Sequence, residues 1–407
     1  MSGLIFHSAG ESHGPQITGF LQGLPSGLPI DLARIDRDLA ERQKGFGRGG
    51  RMKIEQDRCV LTAGVRHGLT LGSPVCFHII NRDWANWQSV MSITDERPAP
   101  ANEREAGLAA PRTVPRPGHA DLAGAQKYRH ADLRNVLERA SARETAVRVA
   151  AGAFAKILLS QFGVETACHV RRIGQAALAD RALAVPDIRR LTEDSDVRCV
   201  DPDTAEAMRA EIRAAAAAGD TLGGIVEVVA TGVVPGLGSH IQWTTKLDGR
   251  LAQAVMSVHS IKSVEIGDGW AQAARRGSTV HDEILFDPSR PPARSAFHRA
   301  SNRAGGLEGG ITNGEDIIVR AAAKPISTLN RPLQSVDIHT EKAAAAFVER
   351  SDICSVPAAA VVCEAMVALV LADAYLNAFG EGNVSDLRER YLAYTSRLDD
   401  FDADLTT

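Results

Sequence analysis

Residues 9–15, "AGESHGP", place a serine and a histidine side by side between glycines, and Gly10-Glu11-Ser12-His13-Gly14 spells G-x-S-x-G. In a serine hydrolase that pattern sits on a strained turn between a strand and a helix, and the helix N-terminus supports the oxyanion hole. Here Pro15 and "QITGFL" follow, a β-branched run with a glycine, where the helix would have to start. Neighbouring side chains also diverge, so Ser12 and His13 do not simply form a nucleophile and its base. The chemistry of the stretch passes to His13, with Ser12 as a supporting hydrogen-bond donor.

Two further segments carry charge where an anion would need it. "GFGRGG" (45–50) fits the dinucleotide fingerprint G-x-G-x-x-G, but a charged helical pattern precedes it and a strand pattern follows, the reverse of the fingerprint's context. What remains is Arg42, Lys44, Arg48, Arg51 and Lys53 interleaved with glycines, which combines guanidinium forks with backbone N–H groups open to carboxylate or phosphate. A solvated basic loop fits the same residues. The second segment, 112–145, holds Arg116, His119 after Pro117-Gly118, and Arg139 and Arg143 spaced i, i+4 on one expected helix face. Ion pairs with Glu138 and Glu144 would satisfy those arginines equally well. A third group, "SNRAGGLEGGITNGED" (301–316), "KPIST" (324–328) and "RSDICSVPAAA" (350–360), offers Gly-rich backbone, Lys324, and the hydroxyls of Ser327 and Thr328, a set that suits a phosphate-bearing cofactor.

These residues need a scaffold, and 407 residues with 44% hydrophobic side chains supply a large core. Short apolar runs at 3–9 and 16–23 read as strands, Asp31–Lys44 as a capped helix, and 51–64 as a strand. A long helix is expected from about Asp132 to Phe162, another over 204–218, and strands at 223–234 and 315–328. Val356–Leu376 approaches membrane-span length but carries Glu364 and Asp373, so it reads as a buried helix. Without regular βαβ alternation the expectation is α+β with largely antiparallel sheets, one domain over 1–398 and a disordered acidic tail over 399–407. The Pro-rich stretches 96–103 and 287–295 read as surface loops. A net charge of −4 argues against a surface built for nucleic acid or membrane. Six cysteines without C-x-x-C pairing, and no secretory pattern at the N-terminus, point to reduced thiols in a cytoplasm.

In order along the chain, "AGESHG", "RQKGFGRGGRMKIEQD", "RPGHADLAGAQKY", "RASARETAVRVAAG", "GDTLGG", "SIKSVEIGDG", "NRAGGLEGGITNG", "KPIST" and "RSDICSVPAA" closely resemble the chorismate synthase family, over about residues 3–376. The resemblance implies a helical core between antiparallel β-sheets, a homotetramer, and a lyase. Its reaction would be the 1,4 anti elimination of phosphate from 5-enolpyruvylshikimate 3-phosphate to give chorismate. Reduced FMN (FMNH2) would be required without net redox change. It further implies His13 as the acid assisting the departing phosphate, His119 near the reduced flavin ring, and Asp352 acting with the flavin in removing the C6 proton. Substrate contacts fall on Ser12, Arg42, Arg48, Arg51, Arg116, Arg143 and Arg350. Flavin contacts fall on Arg42, Arg48, Ala142, Arg143, Glu144, His259, Ser260, Gly309, Lys324, Pro325, Ile326, Ser327, Thr328 and Arg350, with no metal. His259 stands where glutamine or asparagine is more usual, and Phe46 where tyrosine is common. Such a substrate and cofactor explain the arginines, since two like charges about 4 Å apart repel by roughly 4 kcal/mol at an effective dielectric near 20. No added reductase domain is evident, so an external flavin reductant is expected, with an intrinsic NADP-linked reduction as the other route. The alternative activity is a flavin reductase or other FMN-dependent oxidoreductase.

Overall fold

Period-two patterning at the start of the chain folds as sheet. In the computed structural model, which describes residues 3–48, 56–94, 107–348 and 352–400, strand β1 (Ile5–Ala9) pairs antiparallel with β2 (Gln16–Gln22). β2 buries Ile17 and Leu21 and leaves Phe20 exposed, the alternation of a sheet with one covered face. Helix α1 (Leu32–Gln43) follows, with the Asp31 side chain accepting the Arg34 N–H as its N-cap. Its buried stripe is Ile35, Leu39 and Arg42, so helical spacing alone turns Arg42 toward the interior. Strands β3 (Cys59–Ala63) and β4 (Val75–Ile80) complete a four-stranded antiparallel sheet in the order β1-β2-β4-β3. Residues 56–58 are not strand, and 51–55 of the longer strand expected there lie outside the described residues.

The central segment corrects the sequence expectation of one helix over 132–162. After α2 (Asp121–Tyr128) comes a single turn, α3 (Arg134–Leu137), then extended backbone at Ser141, a 3₁₀ turn over Ala142–Glu144, and α4 (Thr145–Ser160). The break has a local cause: the Ser141 hydroxyl accepts the Arg143 N–H as a cap, an alternative to continuing the helix that serine readily takes. Arg139 and Arg143 therefore do not share a helix face.

A second antiparallel sheet, with strands in the spatial order 261–266, 317–323, 224–231, 165–173 and 176–177, is built from the later part of the chain. It comprises β5 (Glu165–Ile173), β6 (Ala176–Ala177), then after α5 (Pro202–Ala218) β7 (Gly224–Thr231), and after α6 (Leu247–Met256) β8 (Ile261–Ile266). Short hairpins β9 (Ile284–Phe286) with β10 (Phe297–Arg299) and β11 (Leu307–Glu308) with β12 (Ile311–Thr312) precede β13 (Ile317–Ala323). The 287–295 stretch joins β9 to β10 through a 3₁₀ turn at Pro292–Arg294, whereas 96–103 lies outside the described residues.

Between the sheets run α4 and α7 (Val356–Phe379), with α8 (Val384–Thr395) beside α7. α4 packs on β2, and α7 on β5 and β7. The two helices approach closely because Gly152 faces Ala365: a Cβ on Gly152 would fall 2.4 Å from the Ala365 Cβ. α7 is long and apolar enough to cross a membrane, but most of it is buried inside the protein, as an all-round apolar core helix requires. Its one buried carboxylate, Glu364, lies 2.8 Å from Lys156 of α4. The architecture is α+β, a helical layer between antiparallel sheets, as expected. All six cysteines are unpaired. Of the acidic tail, the Asp399 carboxylate accepts the Ala296 N–H, and 401–407 lie outside the described residues.

Candidate active site

The turn between β1 and β2 presents Ser12 and His13 to the broken segment after α3. Ser12 donates its N–H to the Glu138 carbonyl at 3.0 Å, and its hydroxyl meets Ser141 Oγ at 3.1 Å. His13 donates its N–H to Glu138 Oε2 at 2.9 Å, and its Nδ1 lies 3.0 Å from both oxygens of that carboxylate. The ring stacks on Trp87, centroids 3.6 Å apart and planes inclined by 19°. Burial alone would raise the Glu138 carboxyl, but its bonds to His13 and the charge of Arg134 outweigh that and hold it below the ordinary carboxylate range. The chain's own path needs a glycine at position 10: at φ +109° it lets Gln16 pass so closely that a Cβ would come within 2.6 Å of the Gln16 carbonyl oxygen.

Beside this pair, Asp57 joins two arginines. Arg42 from α1 donates to Asp57 Oδ2 at 3.2 Å, to Thr145 Oγ1 at 2.9 Å and to the Ala142 carbonyl at 3.0 Å, while Arg143 takes Asp57 Oδ1. Neither expected pairing of the acidic residues with Arg139 and Arg143 forms. Glu138 takes Arg134 and His13, Glu144 takes Arg148 and the Ser8 hydroxyl, and Arg139 reaches the carbonyls of Ser8 and Gly10. The cluster of Arg42, Arg143 and Asp57 holds one excess positive charge, less than its arginine count suggests.

Lys324, at the end of β13, draws three candidate segments together. Its N–H donates to the Ser260 carbonyl at 2.9 Å, and its ammonium donates to the Gly118 carbonyl. Next to Gly118, His119 Nδ1 meets Asp121, which also takes Arg116 Nε at 2.9 Å, and Arg116 reaches Thr328 Oγ1 at 3.2 Å. Burial opposes ionisation of Asp121, but bonds from His119 and Arg116 hold it far below the usual carboxylate value. Next to Ser260, His259 has a buried Nδ1 without a hydrogen-bond partner, 4.0 Å from Glu144 Oε2. Burial, with the charges of Arg148, His119 and Arg139, lowers the His259 pKa against the pull of Glu144. The Lys324 ammonium is likewise lowered, by burial and by Lys262.

Asp352 lies 3.1 Å from Arg48 Nε, and the next residue, Ile353, donates to the Gly47 carbonyl. Ile353 also accepts the Leu222 N–H, and the neighbouring Thr221 hydroxyl donates to the Ile326 carbonyl, so this pair is tied to the 324–328 segment. Gly309 stands in the turn of the β11–β12 hairpin, which Gly310 seats against Lys246 and Leu247 at the head of α6. Arg51 and Arg350 lie outside the described residues. Glu138, Asp57, Asp121 and Trp87 were not among the sequence candidates. The three carboxylates had a signal, each being an acidic residue inside a basic, glycine-bearing segment, whereas Trp87 had none.

A family model described as chorismate synthase matches residues 4–376. The chain is 54% identical over 394 residues to the chorismate synthase of Symbiobacterium thermophilum, covering 96% of this chain and 98% of that protein. It is 53% identical over 393 residues to the chorismate synthase of Geobacter sulfurreducens, with the same coverage. A crystal structure of chorismate synthase superposes with a TM-score of 0.78 at 39% identity, over 98% of this chain and 100% of the other.

Proposed function

The chain belongs to the chorismate synthase family, a family of carbon–oxygen lyases, and we propose that it eliminates phosphate from 5-enolpyruvylshikimate 3-phosphate with reduced FMN at the site just described. The observation that carries this placement is the junction at Lys324, which brings the 118–119, 259–260 and 324–328 segments to one locus. The residues there fit a flavin phosphate and ring: an ammonium, the hydroxyls of Ser327 and Thr328, and the unpartnered Nδ1 of His259, which a heterocycle could engage. Arg42, Arg48, Ala142, Arg143, Glu144, Gly309, Pro325, Ile326 and Arg350 complete the proposed flavin set. When bound, the reduced flavin would supply transient electron donation that helps expel phosphate.

The protein's own part is charge, orientation and protons. Arg42 and Arg143, aligned by Asp57, with Arg48, Arg51, Arg116 and Arg350, compensate the substrate's two carboxylates and phosphate. His13, held against Trp87 and Glu138, donates a proton to the leaving phosphate, and Ser12 supports it with a hydrogen bond. His119, oriented by Asp121, faces the flavin, and Asp352 acts with the flavin in removing the C6 proton. A cytoplasmic homotetramer served by an external flavin reductant completes the proposal.

An anaerobic assay with purified protein, chemically reduced FMN and 5-enolpyruvylshikimate 3-phosphate tests it by following chorismate formation. Absence of chorismate, or equal yield with oxidised FMN, rejects the reading. A flavin reductase would instead consume a nicotinamide without needing the phosphate substrate.

A further inference from the structure

We propose that Glu138 is a positioning residue for the reacting histidine, fixing through Nδ1 which nitrogen of His13 carries the transferable proton and how the ring is aimed. The inference rests on the reading of His13 as the acid. Both residues are interior, with side chains 9% and 1% exposed for His13 and Glu138. The carboxylate grips main chain and ring together, since Oε2 accepts the His13 N–H at 2.9 Å while Nδ1 lies 3.0 Å from each oxygen. An ionised carboxylate can only accept, so Nδ1 must be protonated, and exchange with the leaving phosphate falls to Nε2 on the opposite edge of the ring.

The surroundings hold this arrangement. Trp87 covers one face of the imidazole and is itself fixed by its indole N–H on Asp83 Oδ2 at 2.9 Å. Arg134 lies 3.3 Å from Glu138 Oε1, with its guanidinium 5.7 Å from the Trp87 ring centroid. A buried carboxylate is a costly way to fill space, and removing its ionic partner would be costlier still. The same order of groups recurs at the second histidine, where Arg116 holds Asp121 and Asp121 holds His119 Nδ1. Two arginine–carboxylate–histidine chains on different segments of one site indicate a purpose in aiming the rings.

The test compares Glu138→Gln with the double variant Arg134→Gln/Glu138→Gln, which leaves no buried guanidinium short of a carboxylate. In both, kcat should fall about ten- to hundredfold while KM for the phosphate substrate stays within about threefold, the pattern of a lost orienting contact. The second readout needs neither flavin nor substrate. Ring-nitrogen NMR shifts of His13, assigned by difference from His13→Asn, report which nitrogen of the neutral imidazole carries the proton. In the wild type that nitrogen should be Nδ1, which faces the carboxylate, and in the two variants the Nε2–H form should appear beside it. Wild-type kcat with an unchanged Nδ1–H ring in either variant overturns the proposal, and so does failure of both to fold, which would make Glu138 a scaffold residue. Failure of the underlying reading looks different: His13→Asn would then turn over normally whatever the Glu138 variants do.

Discussion

Nε of Arg48 lies 3.1 Å from Oδ2 of Asp352, joining the loop after α1 to the approach to α7. The contact gives the proposed base a fixed direction and a compensating cation across two segments far apart in sequence. Asp352→Ala should lower kcat at least about a hundredfold, the low end for a general acid or base, while the affinity for FMN largely survives. Steady-state turnover and a flavin fluorescence titration measure the two quantities, and wild-type turnover would remove Asp352 from the mechanism.

Asp57 is buried between Arg42 and Arg143, one on each carboxylate oxygen. Asp57→Ala leaves two interior guanidiniums without their shared counter-charge, a change that should destabilise the fold by about 3–5 kcal/mol. A urea unfolding series reads this as a lower midpoint at unchanged slope. A midpoint equal to the wild type's would show that the two arginines need no carboxylate.

Much of this organisation is legible in the residues themselves. The period of two in "QITGFLQ", the Asp31 cap and the apolar run 356–376 each state a local preference that tertiary packing reinforces, so β2, α1 and α7 form where expected. Residues 132–162 mislead because their apolar spacing is helical throughout, while a single side-chain cap at Ser141 interrupts the backbone. Charge balance was hidden for a different reason. Arginines advertise anion binding, but Asp57 and Asp121 meet them only after the chain has folded, and a carboxylate's sign does not reveal its partner. Glu138 illustrates the same limit, with a helix-spaced salt bridge to Arg134 visible in sequence and its grip on His13, 125 residues away, invisible.

Burial raises the thiols: Cys59 and Cys363 to about 12, Cys354 to about 11, and Cys168 and Cys199 also upward. Thiolate is the nucleophile, so at pH 8 these five should be nearly inert, and Cys76, only half-buried, should react alone. A colorimetric disulfide reagent should therefore titrate one thiol in the native protein and all six after denaturation. Rapid native reaction of several thiols would contradict the packing of the sheets and of the helical layer between them.

Lys156 and Glu364 make the acid stability of that layer testable. Burial by itself would lift the Glu364 carboxyl, but the Lys156 ammonium at 2.8 Å and the hydrogen bond from Thr166 outweigh it and bring the value to about 2. The ordinary value is 4.5, so the folded group is depressed. Its contribution to stability is therefore complete above that ordinary value and is lost as pH falls toward about 2. Glu364→Gln should be less stable than the wild type by about 3–5 kcal/mol at neutral pH, because Lys156 keeps only Asp38 as a counter-charge. Between neutral pH and about pH 3 the gap should narrow, since the wild type alone carries this proton-linked term. Urea unfolding of both proteins across that range gives the two curves, and a gap that stays constant would mean that the Lys156–Glu364 pair contributes nothing to acid sensitivity.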